Sequence, residues 1–445
     1  MKKDLTQGPV LKGILGLSLP IIGASFLQIA NNVIDMFWVG KLGSDAVASV
    51  GTAGFYLQLF WALTSVFYMG VGINTSRLIG EKKEGEALRW GREGLFLLLI
   101  ASIILFIFVQ LFQVPLISFF GLNEEVQIGA ISYLTWMSLS FFITPIIFLF
   151  TAISQARGDT KTPLYYTGFG LVINIILDPI FILLLDWGIE GAAWATIIAQ
   201  VVSSLLFIVK RGEVFLGGKE HWELQLSHAK KIINTGFPAS MQRILFTIVG
   251  IMIAKIIADW GSEAIAAQKI GIQIESITFM CIGGLSSGMM SFTGQNLGAK
   301  RPDRILDGYT NALKIGISIG IINGIFFIYG GPFLMSLFVT DAGTIEIGAN
   351  YLFMMGIAQV FMCIEMLTSG IINGLGKTKI PASINIAFTI IRIPMALFFA
   401  YILELGINGV WLSIACSMFL RSIALSVAFQ YLKKKFINKL THEII

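Results

Sequence analysis

Residues 93–114 read EGLFLLLIASIILFIFVQLFQV. Past Glu93 this run carries no charge, and Leu, Ile and Phe dominate it. About 20 mostly apolar residues are enough for a helix to cross the hydrocarbon core of a bilayer. The stretch is therefore a membrane-spanning helix, and the rest of the chain is measured against it. Eleven further stretches match it in length and character: 14–39, 46–74, 131–153, 162–185, 189–209, 234–258, 264–292, 309–330, 347–371, 380–403 and 407–431. Spans of 26–29 residues imply tilt, kinks or helical extensions beyond the lipid. The run that follows Lys2 and Lys3 is too long for a cleaved signal and is the first span.

Twelve spans account for the composition. Of 445 residues, 56% are hydrophobic and 13% charged, against about 45–50% and about 25% in soluble domains. A chain this long has ample surface to bury without such an excess, so the surplus faces lipid. Disorder needs the opposite composition. Collagen is excluded because the 47 glycines show no triplet period.

The placement of basic residues orients the spans. One side holds 24 of the 31 Lys and Arg, in groups such as Lys82, Lys83, Arg89 and Arg92, and Lys300, Arg301 and Arg304. The other side holds Lys41, beside Glu124, Glu125, Asp186, Glu190, Asp341 and Glu404. Both termini are therefore expected in the cytoplasm, the protein being multi-pass in the cell (plasma or inner) membrane. Trp38, Trp187 and Trp260 fall near outer span ends, where an aromatic belt is expected. The net charge of +5 then reflects a positive-inside bias and not a nucleic-acid partner.

Small counts remove other classes. Cys281, Cys363 and Cys416 lie in apolar runs and read as small core residues. His221, His228 and His442 lie outside such runs, which disfavours a membrane histidine relay or a His/Cys metal site. No full phosphate-cradling Gly-x-x-x-x-Gly-Lys-Ser/Thr loop is present, since Ile371 stands where Gly376-Lys377-Thr378 would need its first glycine, so no ATPase is expected. The chain reads as a non-enzyme without a cofactor.

The second half repeats the first at an offset of 218 residues. Pro20 maps to Pro238; Gly43, Ser44, Ala46 and Ala48 map to Gly261, Ser262, Ala264 and Ala266. Gly70, Gly80 and Lys82 map to Gly288, Gly298 and Lys300, and Gly158, Thr160, Lys161 and Pro163 to Gly376, Thr378, Lys379 and Pro381. Six spans per half is an even number, so the halves share one orientation and are related by an axis along the membrane normal. The expected organisation is a lobe at 1–209, a cytoplasmic linker at 210–233 and a second lobe at 234–445.

Residues that break the repeat are candidates for chemistry. Asp35, Asn174, Asp178 and Thr196 map to Ile253, Arg392, Ala396 and Ile414. An ionised carboxylate within a span costs about 2.5–3.5 kcal/mol on insertion scales and is functional by default. At 1.5 Å per residue, Asp35 lies roughly 6 Å inside the outer end of span 1, and Asp178 and Thr196 about 10 Å inside theirs. Gln28, Asn31 and Asp35 share one face of span 1, and Asn174 and Asp178 one face of span 5. Pro179 cannot donate to the Ile175 carbonyl. Carboxylates, an amide, a hydroxyl and a free carbonyl are hard oxygen ligands suited to a small cation, and two close carboxylates suit a proton equally. A small hard cation or a proton is expected here.

The second half carries Arg243, Lys255, Glu275, Glu365 and Arg392 within spans. Glu275 and Arg392 are expected to form a buried ion pair; Lys255 is expected either to pair with Asp259 at the interface or to snorkel. Glu275, Glu365 and Arg392 together form a possible second polar site. Met280, Met289, Met290, Met354, Met355, Met362 and Met366 read as packing residues.

These features resemble the multidrug and toxic compound extrusion (MATE) family, nearer its DinF-like than its NorM-like branch. The resemblance rests on Pro20, on Asp35-Met36-Phe37-Trp38-Val39-Gly40-Lys41-Leu42-Gly43 and on Gln155-Ala156-Arg157-Gly158-Asp159-Thr160-Lys161-Thr162-Pro163. It rests also on Asn174 with Asp178-Pro179, on Gly188-Ile189-Glu190-Gly191, and on Gly294-Gln295-Asn296-Leu297-Gly298 and Asn373-Gly374-Leu375-Gly376-Lys377-Thr378. It implies an all-α protein of 12 transmembrane helices in two six-helix lobes, V-shaped when outward-open. It implies antiport by alternating access: export of amphipathic, cationic organic compounds against inward Na⁺ or H⁺. It also implies that Asp35, Asn174, Asp178 and Thr196 hold the cation, and that Gln28, Asn31, Asp35 and Asp178 line the substrate cavity. Asn31 departs from the family, where Tyr is frequent, and span 7 lacks the acid of NorM-like members. The partners expected are small amphipathic molecules and membrane lipids, for a monomer. The alternative is a lipid-linked precursor flippase of the same superfamily, which twelve spans and an acidic first lobe oppose.

Overall fold

The computed structural model describes residues 4–216 and 225–434. The centre of the expected linker, with Lys219 and His221, lies outside the described residues, as do Lys2, Lys3, Lys435, Lys439 and His442. The described residues form thirteen α-helices and no strand. They are α1 Val10–Gly40, α2 Ser44–Gly80, α3 Glu84–Ser118, α4 Glu124–Met137, α5 Thr144–Ala156, α6 Lys161–Pro179 and α7 Gly188–Leu216. The second half adds α8 Leu226–Ile257, α9 Gly261–Gly298, α10 Pro302–Ser336, α11 Ala342–Gly374, α12 Lys379–Leu397 and α13 Ile407–Leu432.

Twelve spans result. Helices α4 and α5 make one span, Glu124–Ala156, interrupted by the 3-10 turn Ser138–Phe142. Pro145, at the start of α5, has no N–H to continue the ladder there. The 73-residue helical stretch Leu226–Gly298 makes two, because the 3-10 turn Ala258–Trp260 folds α9 back from α8. Helix α3 begins at Glu84, well before the apolar run, because backbone hydrogen bonding does not stop where the side chains become polar. Large apolar side chains such as Leu111, Ile322 and Val427 are exposed on the spans, where only lipid can cover them.

The 218-residue offset reappears in backbone detail. The π-turn Ile180–Leu184 after α6 recurs as Phe398–Ile402 after α12. Lys82 and Lys300, and Asp186 and Glu404, are the only non-glycine residues at positive φ among those described. L-residues resist that conformation, so each pair marks the same forced turn in both halves. Asn123 and Asp341 cap α4 and α11, accepting from the N–H of Val126 at 2.9 Å and of Thr344 at 2.8 Å. The Thr344 N–H holds the Asp341 carboxyl below the usual carboxylate range.

The chain forms two compact units, and they differ from the sequence boundaries in two segments. The first comprises residues 1–4 and 23–240, the second 5–22 and 241–445. Helices α1 and α8 therefore each begin in one unit and end in the other, changing over two residues past Pro20 and Pro238. A proline inside a helix removes one hydrogen bond and crowds the carbonyl four residues back, which weakens the helix where its packing partner changes. Small residues allow the exchange. In the first unit a Cβ at Gly236 of α8 would lie 1.8 Å from the Val66 carbonyl oxygen, and one at Gly70 of α2 2.2 Å from that of Ile232. Ser65 and Ser240 hydrogen-bond across the same contact. In the second unit Gly284 and Gly288 of α9 receive Ile22 and Ser18 of α1 in the equivalent places. Because Gly236 faces backbone and not a movable side chain, Gly236→Val is expected to cost at least about 1–3 kcal/mol, the range for overpacking. A lower thermal midpoint in detergent checks this, with Gly250→Val as the control, since no atom lies within 4 Å of a Cβ there.

The second unit has one continuous apolar core, which includes Met289, Met355, Met362 and Cys363. Those methionines pack as expected. The first unit divides its core into two clusters, one around Phe60 and Phe141 and one around Trp90 and Phe150.

Candidate functional site

The acids of the first unit meet. Asp35 lies on the part of α1 beyond Pro20, and Asn174 and Asp178 on the last two turns of α6. Asn31 donates from Nδ2 to Asp35 Oδ2 at 2.8 Å, and Asn174 from Nδ2 to Asp178 Oδ1 at 3.1 Å. Each amide is four residues before its acid, so one helical turn aligns the pair. The two carboxyl groups, one on α1 and one on α6, lie within Coulombic reach of each other. Asn174 and Asp178 are essentially inaccessible and Asp35 is half-buried, so the pair is reached from the α1 side.

With both acids ionised, Asp35 Oδ1, Asp178 Oδ2 and Asn174 Oδ1 are buried without any donor. Among the described residues no Lys, Arg or His forms an ion pair with either acid. Two negative charges and three oxygens without donors are thus held where a proton or a small hard cation satisfies them. Pro179 ends α6 immediately after Asp178, and the π-turn follows; such turns recur at functional sites. The same turn in the second unit follows Ala396 in place of Asp178, so the backbone device is shared and the acid is not.

The other residues of the expected site are placed differently. Thr196, half-buried on α7, makes no hydrogen bond to either acid. Gln28 is exposed on α1 and makes none to Asn31 or Asp35. Tyr133 of α4 was not anticipated; it is buried and lies within Coulombic reach of both acids. One signal for it existed, since the repeat maps Tyr133 onto Tyr351, another buried tyrosine beside an acid.

The second unit corrects two expectations. Glu275 and Arg392 form no direct ion pair. Glu275 on α9 instead accepts from Tyr351 Oη at 2.5 Å and Gln359 Nε2 at 3.1 Å, both from α11. Arg392 donates from Nε to Ser417 Oγ at 3.0 Å. The direct pair is Glu365 with Arg421, at 3.0 Å between α11 and α13. Arg421 had no place in the sequence reading, although Glu365 did. Lys255 does not pair with Asp259 either; Asp259 accepts from Tyr401. In both cases the nearer partner comes from another helix, which spacing within one helix does not reveal.

The three cysteines carry no disulfide, and among the described residues no three His, Cys, Asp or Glu side chains gather as a metal cluster. The two carboxylates and one amide therefore define the oxygen set of the first unit.

Comparison with known proteins agrees with this architecture. The MatE family model matches residues 20–180 and 238–398, two segments displaced by the same 218 residues. A probable multidrug resistance protein NorM of Thermotoga maritima is 28% identical over 429 residues, covering 93% of this chain and 90% of that protein. The multidrug export protein MepA of Staphylococcus aureus is 24% identical, over 84% of this chain and 83% of its own. Among solved structures, a MATE protein in a bent conformation superposes with a TM-score of 0.91 over 99% of this chain and 98% of its own, at 24% identity. A multidrug resistance MATE transporter in an outward-facing conformation gives 0.88 over 99% of each chain, also at 24% identity. These structural likenesses concern the fold.

Proposed function

The chain belongs to the MatE family, and from that premise we propose that it is an ion-coupled antiporter in which Asp35 and Asp178 bind the coupling ion. The coarser statement needs no proposal: it is a multi-pass membrane transporter of the multidrug efflux type, not an enzyme. The finer reading is supported by one observation above others. Among the described residues of the two repeated units, only the first holds a close pair of acids with buried oxygens that lack donors and no basic partner.

In this reading a cation from outside, Na⁺ or H⁺, binds at Asp35, Asp178 and Asn174, with Thr196 joining when α7 shifts. Neutralising the pair removes the repulsion between α1 and α6 and favours a different bend at Pro20 and Pro179. The exported compound leaves, the protein turns inward, and the ion is released to a cytoplasm on the side of both termini. An amphipathic organic cation is attracted by the same acids, through a cavity wall that includes Gln28 and Asn31. Exchange then follows, because ion and substrate favour different states.

The test is export of a fluorescent organic cation from proteoliposomes carrying an inward Na⁺ gradient alone or a pH gradient alone. One of the two drives accumulation against the substrate gradient. Equal, gradient-independent leak in both overturns ion-coupled antiport.

A further inference from the structure

Helix α8 carries an arginine at mid-depth. Arg243 lies nine residues past the inner end of the span 234–258 and fifteen before its outer end, about 14 and 22 Å along the axis. An arginine at that depth is costly against lipid and faces the bundle interior or a water-filled cavity. Arg243 is exposed, so it faces water. Phe246 follows one turn later on the same face, with Cβ atoms about 5–6 Å apart, and is 47% exposed. Its ring lies 6.0 Å from the guanidinium carbon of Arg392 on α12. Arg392 is 6% exposed; its Nε donates to Ser417 Oγ of α13 at 3.0 Å, and its Nη2 is buried with no acceptor. Among the described residues neither arginine forms an ion pair. The acids of this unit are engaged elsewhere: Glu365 with Arg421 at 3.0 Å, and Glu275 with Tyr351 and Gln359. The 218-residue offset places Arg243, Phe246 and Arg392 on Ser25, Gln28 and Asn174, so this arrangement is no part of the repeated scaffold.

We propose that Arg243, Phe246 and Arg392 form an anion-binding site of the second unit, which takes the carboxylate of an aromatic ligand. Arg243, on the watered face, meets the carboxylate first. The ring of the ligand stacks on the exposed face of Phe246. As the Phe246 ring turns aside, the carboxylate accepts from Arg392 Nη2 and supplies the acceptor that this group lacks. A buried donor without an acceptor is costly, so filling it favours an anion over a neutral group of the same shape. The bond from Nε to Ser417 fixes the plane of the guanidinium, and a donor held in place loses little freedom when it binds. The acids of the first unit attract organic cations; this site accepts the opposite charge and extends the compounds recognised to aromatic carboxylates and zwitterions. It does not rest on Asp35 and Asp178 being the ion site.

The test is thermal unfolding of the purified protein in a non-ionic maltoside detergent, titrated with 1-naphthaleneacetate and with 1-naphthaleneacetamide, which has the same ring and no charge. A ligand that binds the folded state raises the midpoint with its concentration, so each titration yields an apparent affinity. The wild type is expected to bind the carboxylate at least tenfold more tightly than the amide. R243Q and R392Q should each weaken the carboxylate roughly tenfold or more, the effect of losing one hydrogen bond to a charged group, and leave the amide unchanged. F246L should weaken both ligands, since the ring contact is common to them. K255Q is the control for general electrostatics: Lys255 is exposed on the same helix, about 18 Å along the axis from Arg243, and its loss should leave both affinities unchanged. Equal affinity of the wild type for the two ligands overturns the proposal. So does R243Q that binds the carboxylate as tightly as the wild type, or K255Q that loses as much as R243Q. Should R392Q not fold, R243Q and F246L decide by the same criteria, because both side chains are exposed.

Discussion

Asp178→Asn is expected to abolish export of an organic cation while leaving the protein at least as heat-stable as the wild type. The substitution keeps the shape of the side chain and can keep an amide contact with Asn174 and Asp35. What it removes is the second charge of the pair and the ability to take and release a proton. Loss of an outer-shell partner in an ion site already costs roughly 10–100-fold in affinity or activity; loss of a ligand carboxylate should cost more. Stability moves the other way, because two buried acids without a basic partner repel whenever both ionise. Relief of such functional strain yields about 0.5–2 kcal/mol in other proteins. Transport in vesicles and the thermal midpoint in detergent are measured on the same preparation. A purely structural pair behaves in reverse, with a lower midpoint and export reduced only in proportion to the folded amount. Asp35→Asn should follow Asp178→Asn, and full export in both removes the site assignment.

The second large effect lies in the other unit. Arg421→Met is expected to destabilise the protein by about 3–5 kcal/mol, the cost of leaving one member of a buried ion pair unpaired. Glu365 is then stranded: its Oε2 already lacks a donor, and its Oε1 loses the 3.0 Å contact. Arg392 is held by Ser417 and does not replace the lost partner at bonding distance. For chains in the range of 150–250 residues each kcal/mol shifts the midpoint by about 2–4 °C, and each unit here is of that size. The double variant Glu365→Leu/Arg421→Met should recover much of the loss, since well-packed apolar residues replace buried pairs at little cost. A double variant as unstable as Arg421→Met would show that the packing of the arginine stem, and not the charge, matters at this position.

Much of the architecture was legible because it is written locally. A span needs only a long enough apolar run, so all twelve were readable, with ends displaced where polar helical turns extend past the lipid. The repeat was readable because Pro20 and Pro238, or Gly158 and Gly376, stand at one constant separation. The one-sided acids followed from that separation, since Asp35 and Asp178 have no counterparts at Ile253 and Ala396. Their close approach was not readable, although their depths agreed, because depth does not set how α1 and α6 rotate about their axes. Arg421 escaped notice for the same reason, being opposite Glu365 only through the packing of α11 on α13.

By itself, then, the sequence determined the number of spans, the duplication and which half carries unmatched acids, since each is a property of apolar length or of position along one chain. Only the tertiary structure decided that the first turns of α1 and α8 pack into the opposite units. It alone brought Tyr133 to the acid pair, gave Glu365 to Arg421, and left Arg392 beside Glu275 without a bond to it. Those outcomes depend on close approach between helices far apart in sequence, where a missing Cβ at Gly236 or a rotation about one helix axis selects the partner. No periodicity within a single helix carries that information.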